Sequence, residues 1–453
     1  MKIHRLLSVF LLAVLTASLW ASPQAAALEA PEIQCKAALL VDAHTGAVVY
    51  AKNEHQELYP ASLTKIMTCL LTLEAIDKGK LDMNQAITAS ASALEGLPSD
   101  GSTAGIQAGE IMTVEHLLYC MMVVSANEAS QILAETISGS VAAFVGEMNA
   151  KAQALGCKNT HFVNPHGIHD SQHYTSAWDM YLIAREAMKY EQLMPICDTP
   201  TVVIPATNVS AARTLRTTNY LIGSWYTRGY LNGDAHGIKT GSTSQAGHCL
   251  VSTATRGTRS FISVVMGGDR VKLEDNETRT YSFYDTNQLF NWAFDNFTYQ
   301  TLLRQDDMVQ DVAVSLSETD HVVVHPRGDV EVLLANDIAP ESMERDITLK
   351  ADPVEAPIAA EDVLGTMTLS YGGVEYATVD LLALNDVEAS RSQIFLRDLK
   401  LFFARTSVRI VIAVVIALIV ILAAWKLIFS RRRYRYGRNV GTSRRSGYRG
   451  RRR

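Results

Sequence analysis

The sequence predicts an α+β body, then a small β-rich domain, then a C-terminal apolar helix. Three observations carry this. Strand-like segments near Ala37 and again after Gly237 bracket a long stretch of helical spacing. After Tyr299 the pattern changes to short alternating strands, and residues 408–429 form a nearly unbroken apolar run. Strands drawn from both ends of a segment, with helices inserted between them, make an α+β arrangement. At 453 residues the chain also exceeds one ordinary domain.

Taken in order, the run from Ala37 to Lys52 reads as two short strands joined at His44-Thr45-Gly46. After Tyr59-Pro60-Ala61, apolar residues recur at Ile66, Leu70, Leu73 and Ile76, which is helical spacing. Residues 113–137 hold two further helices around Val124-Ser125-Ala126-Asn127, and 177–190 hold another, with Leu182, Ile183 and Met188 inward. Strands return at 247–255 and 261–267, and 284–297 reads as a closing helix.

Beyond that, segments 309–316, 321–324, 329–334, 346–350, 365–371 and 374–381 alternate as short strands. They predict a β-rich domain over 299–389, after a body over 28–298. The domain has no cluster of His, Cys or acids, so a spacer or docking role is expected. In 390–407, Ile394, Leu396, Leu399, Phe402 and Phe403 recur among basic residues. This fits an amphipathic helix on a membrane surface, or a plain helical stalk.

The net charge of −6 conceals an asymmetry. Residues 28–407 carry 26 basic and 47 acidic side chains, while 408–453 carry 13 basic and no acidic ones. An acidic body argues against nucleic-acid binding, which needs a basic face. Lys2 and Arg5, the apolar run Leu6 to Trp20 and Ala25-Ala26-Ala27 predict a signal peptide over 1–27. Residues 408–429 approach the ~20 residues a bilayer requires, with Lys426 snorkelling. Eleven Arg follow in 430–453, which places that tail in the cytoplasm by the positive-inside rule. The expected topology is a single-pass bacterial membrane protein with its body outside.

The six Cys are scattered, with no C-x-x-C and no His-paired metal spacing. Export permits a disulfide, but Cys69 and Cys120 lie in apolar helical patterns where a small buried hydrophobe is the commoner role.

Chemistry enters at Ser62-Leu63-Thr64-Lys65, where a helix begins. Spacing i, i+3 puts a hydroxyl and an amine on one helix face, and a desolvated Lys near other cations can accept the hydroxyl proton. Sixty residues later stands Ser125-Ala126-Asn127, offering a second hydroxyl and an amide. Ahead of a predicted strand comes Lys239-Thr240-Gly241-Ser242. There Gly241 would let a substrate backbone approach the strand edge, and Lys239 and Thr240 would face a carboxylate. The backbone N–H groups of Ser62 and Ser242 would form an oxyanion hole. Each piece alone is common in unrelated proteins.

The ordered set S-x-x-K, S-x-N, K-T-G resembles the low-molecular-mass penicillin-binding proteins, the serine-type D-alanyl-D-alanine carboxypeptidases. The likeness spans about residues 37–297 and includes Gly101-Ser102-Thr103, Val114-Glu115-His116, Asn159 to Gly167, and His173-Tyr174-Thr175-Ser176. It implies a β-lactamase/transpeptidase-like catalytic domain and a Ser62 acyl-enzyme that releases the terminal D-Ala of peptidoglycan stem peptides. It further implies Lys65 as general base, Ser125 and Asn127 in the proton relay, and Lys239, Thr240, Gly241 and Ser242 at the carboxylate end. Penicillins would acylate Ser62, and no metal or organic cofactor is implied.

Several positions depart from the family pattern. Ser-Ala-Asn replaces the usual Ser-Gly-Asn, His236 stands where Asp is common, and Ser242 where His is common. The Arg that holds the substrate carboxylate has two counterparts, Arg279 nearest and Arg270 second. His161, His166, His169 and His173 cluster within thirteen residues, and the resemblance makes them loop-packing residues rather than metal ligands. Two competing readings are a β-lactamase or D,D-endopeptidase on the same scaffold, and a non-catalytic wall-binding or scaffold protein that retains the fold. No E-x-x-L-N segment of the kind that deacylates lactams lies between Asn127 and Lys239.

Overall fold

The computed structural model describes residues 28–433, apart from 228 and 275. The expected signal peptide over 1–27 and residues 434–453 of the basic tail lie outside the described residues. The chain divides into two compact units: the first runs to Leu302 and takes in Glu331–Ser342, and the second takes Leu303–Val330 and everything from Met343.

In the first unit, strands β1 (Ala37–Asp42) and β2 (Val48–Lys52) form the expected hairpin. Helix α1 (Lys65–Asp77) follows, then the short strands β3 (Ala86–Thr88) and β4 (Ile111–Thr113). Helices α2 (Val114–Val123), α3 (Asn127–Ser138) and α4 (Val141–Ala154) come next, then α5 (Ala177–Ala187) and α6 (Leu193–Cys197). Strands β5 (Thr201–Ile204) and β6 (Arg213–Arg216) pair as a hairpin that periodicity did not predict. Strands β7 (Ala235–Thr243), β8 (Gly247–Arg256) and β9 (Arg259–Gly268) return to the main sheet, the short hairpin β10 (Arg270–Lys272)–β11 (Thr278–Thr280) follows, and α7 (Tyr281–Asn296) closes the unit.

Local chemistry explains several boundaries. Thr113, Ser140 and Ser176 cap α2, α4 and α5 by accepting from backbone N–H groups two to three residues inside each helix. Gly139, at φ 76°, stops α3 in the left-handed conformation that glycine adopts without a Cβ penalty.

The main sheet has the order β2-β1-β9-β8-β7 and is antiparallel throughout. Alternate residues of β1 serve two cores. Leu39 and Val41 pack with α1 to α5, whereas Ala38 and Leu40 pack with Phe290 and Phe294 of α7. The central strands are therefore buried on both faces, which is why they read as apolar runs rather than clean alternation. β7 is left at an edge, next to the start of α1.

The second unit holds a six-stranded sheet in the order 344–349, 363–371, 374–383, 321–326, 310–315, 354–355. The segment expected as the strand 329–334 departs from that sheet. It forms Val330–Ala335 and pairs with Phe297–Leu303, a strand that was not expected, and Leu333 joins the apolar cluster under α7. An alternating strand advertises a buried face but not which sheet supplies it. Arg391–Ala404 and Thr406–Arg433 are helices, and 24 residues of the latter, Thr406–Phe429, are long and apolar enough to cross a membrane. The six Cys are all free.

Candidate active site

Tyr59-Pro60 leads into a 3₁₀ turn, Ala61–Thr64, that runs directly into α1 at Lys65. Ala61 takes φ 48°, an unfavourable region for a residue with a Cβ. Its neighbours hold it there. The Ala61 carbonyl accepts from Thr64 Oγ1 at 2.8 Å, and Thr64 Oγ1 lies 2.8 Å from His173 Nε2. His173 Nδ1 accepts from the Val163 N–H at 3.1 Å, so the ring proton sits on Nε2 and is donated to Thr64. Burial pushes His173 down to about 4 against the opposing pull of Asp170, which keeps the ring neutral. Gly167, at φ 86°, lies against the same turn, and a Cβ there would stand 1.8 Å from the Ala61 oxygen.

Lys65 is fully buried. Its Nζ lies 3.0 Å from Ser62 Oγ, and it donates to Asn127 Oδ1 at 2.8 Å and to the His166 carbonyl at 2.6 Å. Burial first, and then the charge of Lys239, hold the Lys65 ammonium well below the usual lysine range, with Glu128 pulling the other way. His166, whose carbonyl completes this cage, is pushed down to about 3 by burial and by Lys65.

Ser125, the residue before Asn127 but one, has φ 65° and a buried hydroxyl with no hydrogen-bond partner. It opens on a cavity of about 200 Å³. Three serines from separate segments, Ser62, Ser102 and Ser125, line this cavity together with Thr240, Gly241 and Ser242 of β7. Thr240 Oγ1 meets Thr218 Oγ1 at 2.6 Å, and Tyr220 stacks on Phe283 at 4.8 Å between ring centres as a further part of the wall.

Lys239 does not line the cavity. It is buried behind the wall and donates to the Thr240 carbonyl at 2.9 Å, and burial pushes it down to about 7. There it is a like charge to Lys65. Gly241 answers to a further constraint. A Cβ there would come 2.7 Å from the Pro60 oxygen and 3.2 Å from the Leu63 nitrogen, so it is the turn bearing Ser62 that needs the bare strand.

The two arginines separate by register. In the β10–β11 hairpin Arg270 pairs with Thr280 and Val271 with Arg279. Adjacent residues on a strand point to opposite faces. Arg270 and Thr280 line the cavity, with His248 beside them, while the Arg279 guanidinium lies over the Tyr284 ring at 4.2 Å and is not part of the lining. His236 is paired at 2.8 Å with Asp198, the residue that ends α6.

Sequence reasoning missed Thr218, Tyr220 and His248, because none stands in a motif. Ser102 was quoted only for its resemblance to the family. The other two histidines of the 161–173 cluster pack loops: His161 Nδ1 meets the Gln172 carbonyl at 2.6 Å, and His169 sits edge-on to Tyr59 at 4.6 Å.

Comparison with known proteins agrees with this geometry. The family described as D-alanyl-D-alanine carboxypeptidase matches residues 24–270, and the family described as penicillin-binding protein 5, C-terminal domain, matches 297–389. The chain is 34% identical to the D-alanyl-D-alanine carboxypeptidase DacF of Bacillus subtilis (strain 168), over 80% of this chain and 88% of that protein. It is 31% identical to DacA of Haemophilus influenzae, over 79% of this chain and 86% of that one. The solved penicillin-binding protein 5 of Haemophilus influenzae superposes with a TM-score of 0.63 at 30% identity, covering 80% of this chain and 99% of that chain. A catalytic-type Ser–Lys pair, two further motifs around one cavity and matches across both units lead to one conclusion: the chain belongs to the D-alanyl-D-alanine carboxypeptidase family of low-molecular-mass penicillin-binding proteins.

Proposed function

We propose that this chain removes the terminal D-Ala from peptidoglycan stem peptides through an acyl-enzyme on Ser62, with Lys65 as the base that activates it. The observation that carries the assignment is the cage around Lys65 Nζ. Asn127 Oδ1 and the His166 carbonyl can only accept hydrogen bonds. With the amine neutral, its two N–H groups serve these acceptors and its lone pair is free to take the proton of Ser62 Oγ, 3.0 Å away. Burial beside Lys239 favours that neutral form.

The steps follow from this placement. Ser62 Oγ gives its proton to Lys65 and bonds to the carbonyl carbon of the penultimate D-Ala. The oxyanion is met by the backbone N–H groups of Ser62 and Ser242, two residues of the cavity wall. Ser125, whose hydroxyl has no partner among the described residues, passes the proton from Lys65 to the departing amine. Water then attacks the ester by the same base. A cavity of about 200 Å³ holds the end of a peptide rather than a glycan strand. Arg270, with Thr240 and Ser242, receives the terminal carboxylate. A penicillin enters by the same attack and leaves a slowly released ester.

We place the catalytic unit outside the cell membrane, held by the helix Thr406–Phe429 with the arginine-rich tail inside. The helix Arg391–Ala404 exposes Phe395, Leu396, Phe402 and Phe403, which suits contact with the outer leaflet. We read the second unit's six-stranded sheet, which follows the catalytic unit in the chain and precedes the helix, as a spacer or docking domain.

The purified protein is expected to release D-Ala from a pentapeptide ending in D-Ala-D-Ala and to turn over a chromogenic lactam slowly. In the same assay Arg270→Ala should lose about 10- to 100-fold in kcat/KM, the worth of one charge-assisted hydrogen bond. Arg279→Ala should stay within about threefold of the parent, since its stacking lies off the cavity. Rapid lactam turnover without D-Ala release would sink the carboxypeptidase reading.

A further inference from the structure

Glu128 follows Asn127 in the first turn of α3, and only 3% of it is exposed. A carboxylate in such a place is costly unless its oxygens are satisfied. One oxygen accepts from Thr103 Oγ1 at 2.7 Å and from the Ala104 N–H at 2.7 Å, with the Ile106 N–H at 3.5 Å. All three donors belong to the loop that brings Ser102 to the cavity wall. The loop is tied to the catalytic pair at two more points. The Asn127 N–H donates to the Ser102 carbonyl at 2.9 Å, and a Cβ on Gly101 would stand 2.8 Å from Asn127 Nδ2. From its outer side, Arg213 donates to the Ala104 carbonyl at 2.8 Å while pairing with Glu110.

We propose that Glu128 is a positioning residue that fastens the loop over residues 101–106 to the Lys65–Asn127 pair, holding the cavity wall and the base in register. The proposal rests on the reading of Lys65 as base. Two roles meet in the one carboxylate. Its hydrogen bonds fix the loop, and its charge favours the protonated form of Lys65. The charges acting on Lys65 are Lys239 from β7 and Glu128 from α3, and Lys65 in turn helps to hold down His166 and His173 of the loop after α4. Glu128 is the acid that opposes Lys239 there. An apolar residue of similar size would fill the space but would leave the Thr103 and Ala104 donors unpaired. Lys65 would then answer to the like charge alone.

The test uses full-length protein in detergent and the rate of acylation by a fluorescent penicillin as a function of pH. Glu128→Gln keeps size and one acceptor but removes the charge, so the acid limb of the profile should move to lower pH by several tenths of a unit or more. Glu128→Asp keeps the charge but shortens the reach, so the rate should fall about 10-fold with the acid limb in place. An acid limb unmoved in Glu128→Gln would overturn the electrostatic coupling. A second readout is independent of the base. In Glu128→Ala, hydrogen exchange over residues 101–106 should quicken at least 10-fold while β8 and β9 keep their protection. Unchanged exchange in the loop would overturn the positioning role. A parent enzyme with no acid limb at all would count against Lys65 as base, and the exchange result would still decide the case for Glu128.

Discussion

Replacing Lys65 by Ala or by Arg is expected to slow acylation of Ser62 by about 10²- to 10⁴-fold, the range of a positioned general base. The Arg variant is the more telling. It keeps a positive charge and donors for Asn127 and the His166 carbonyl, yet it cannot give up its proton. If charge or packing were the function of this side chain, Arg would rescue much of the rate. If proton acceptance is the function, Arg is as inactive as Ala. The pH dependence of the parent has a definite sign. Because burial and Lys239 depress the Lys65 ammonium, the neutral amine is available well below the ordinary lysine range. Acylation falls as pH drops through that depressed value, when the amine takes a proton from solvent and can no longer take one from Ser62. Stopped-flow acylation of the parent and both variants between pH 5 and 9 checks the sign and the size together.

Gly167→Ala is expected to destabilise the first unit by about 2–4 kcal/mol and to reduce acylation severely. Two penalties coincide. Gly167 sits at φ 86°, where an L side chain is strained, and its new Cβ would fall 1.8 Å from the Ala61 oxygen. That oxygen is part of the turn that presents Ser62, so relief of the clash has to move the nucleophile. Gly109→Ala is the matched control. It shares a left-handed φ of 80° but meets nothing within 4 Å, so it carries the backbone strain of about 1 kcal/mol alone. Thermal melts of the two variants side by side separate the terms. Equal melting shifts would mean that contact with the Ala61 turn does not matter.

The α+β order, about half of the strands and the helices at 65–77, 114–138, 177–187 and 281–296 were legible because hydrophobic period reports which face of an element is buried, whereas Val141–Ala154 was not read as a helix. The same signal is silent about which elements meet. It marked the strand near 329–334 but could not say that it would pair with Phe297–Leu303 rather than enter the six-stranded sheet. It offered Arg279 ahead of Arg270, and only the register Arg270↔Thr280 shows which of the two faces the cavity. The Ser–Lys pair was legible because i, i+3 spacing on a helix is a distance in disguise. The cage around Lys65 was not, since the His166 carbonyl reaches it from 101 residues away. Lys239 and Gly241 were found by motif, but one feature of the packing of each was not. One is a buried charge and the other a clearance for the turn at Ala61. Burial and close approach are properties of the packed molecule, and a three-residue motif does not encode them.

The most direct test of the central assignment is to trap the acyl-enzyme and locate it. The folded protein is incubated with a fluorescent penicillin, digested, and the adduct mapped by mass spectrometry, with Ser62→Ala carried through in parallel. The account predicts one covalent adduct per chain, on the peptide holding Ser62 and on its hydroxyl, and none on a Ser62→Ala protein that melts like the parent. An adduct on Ser125 or Ser102, or labelling that persists in folded Ser62→Ala, would contradict it.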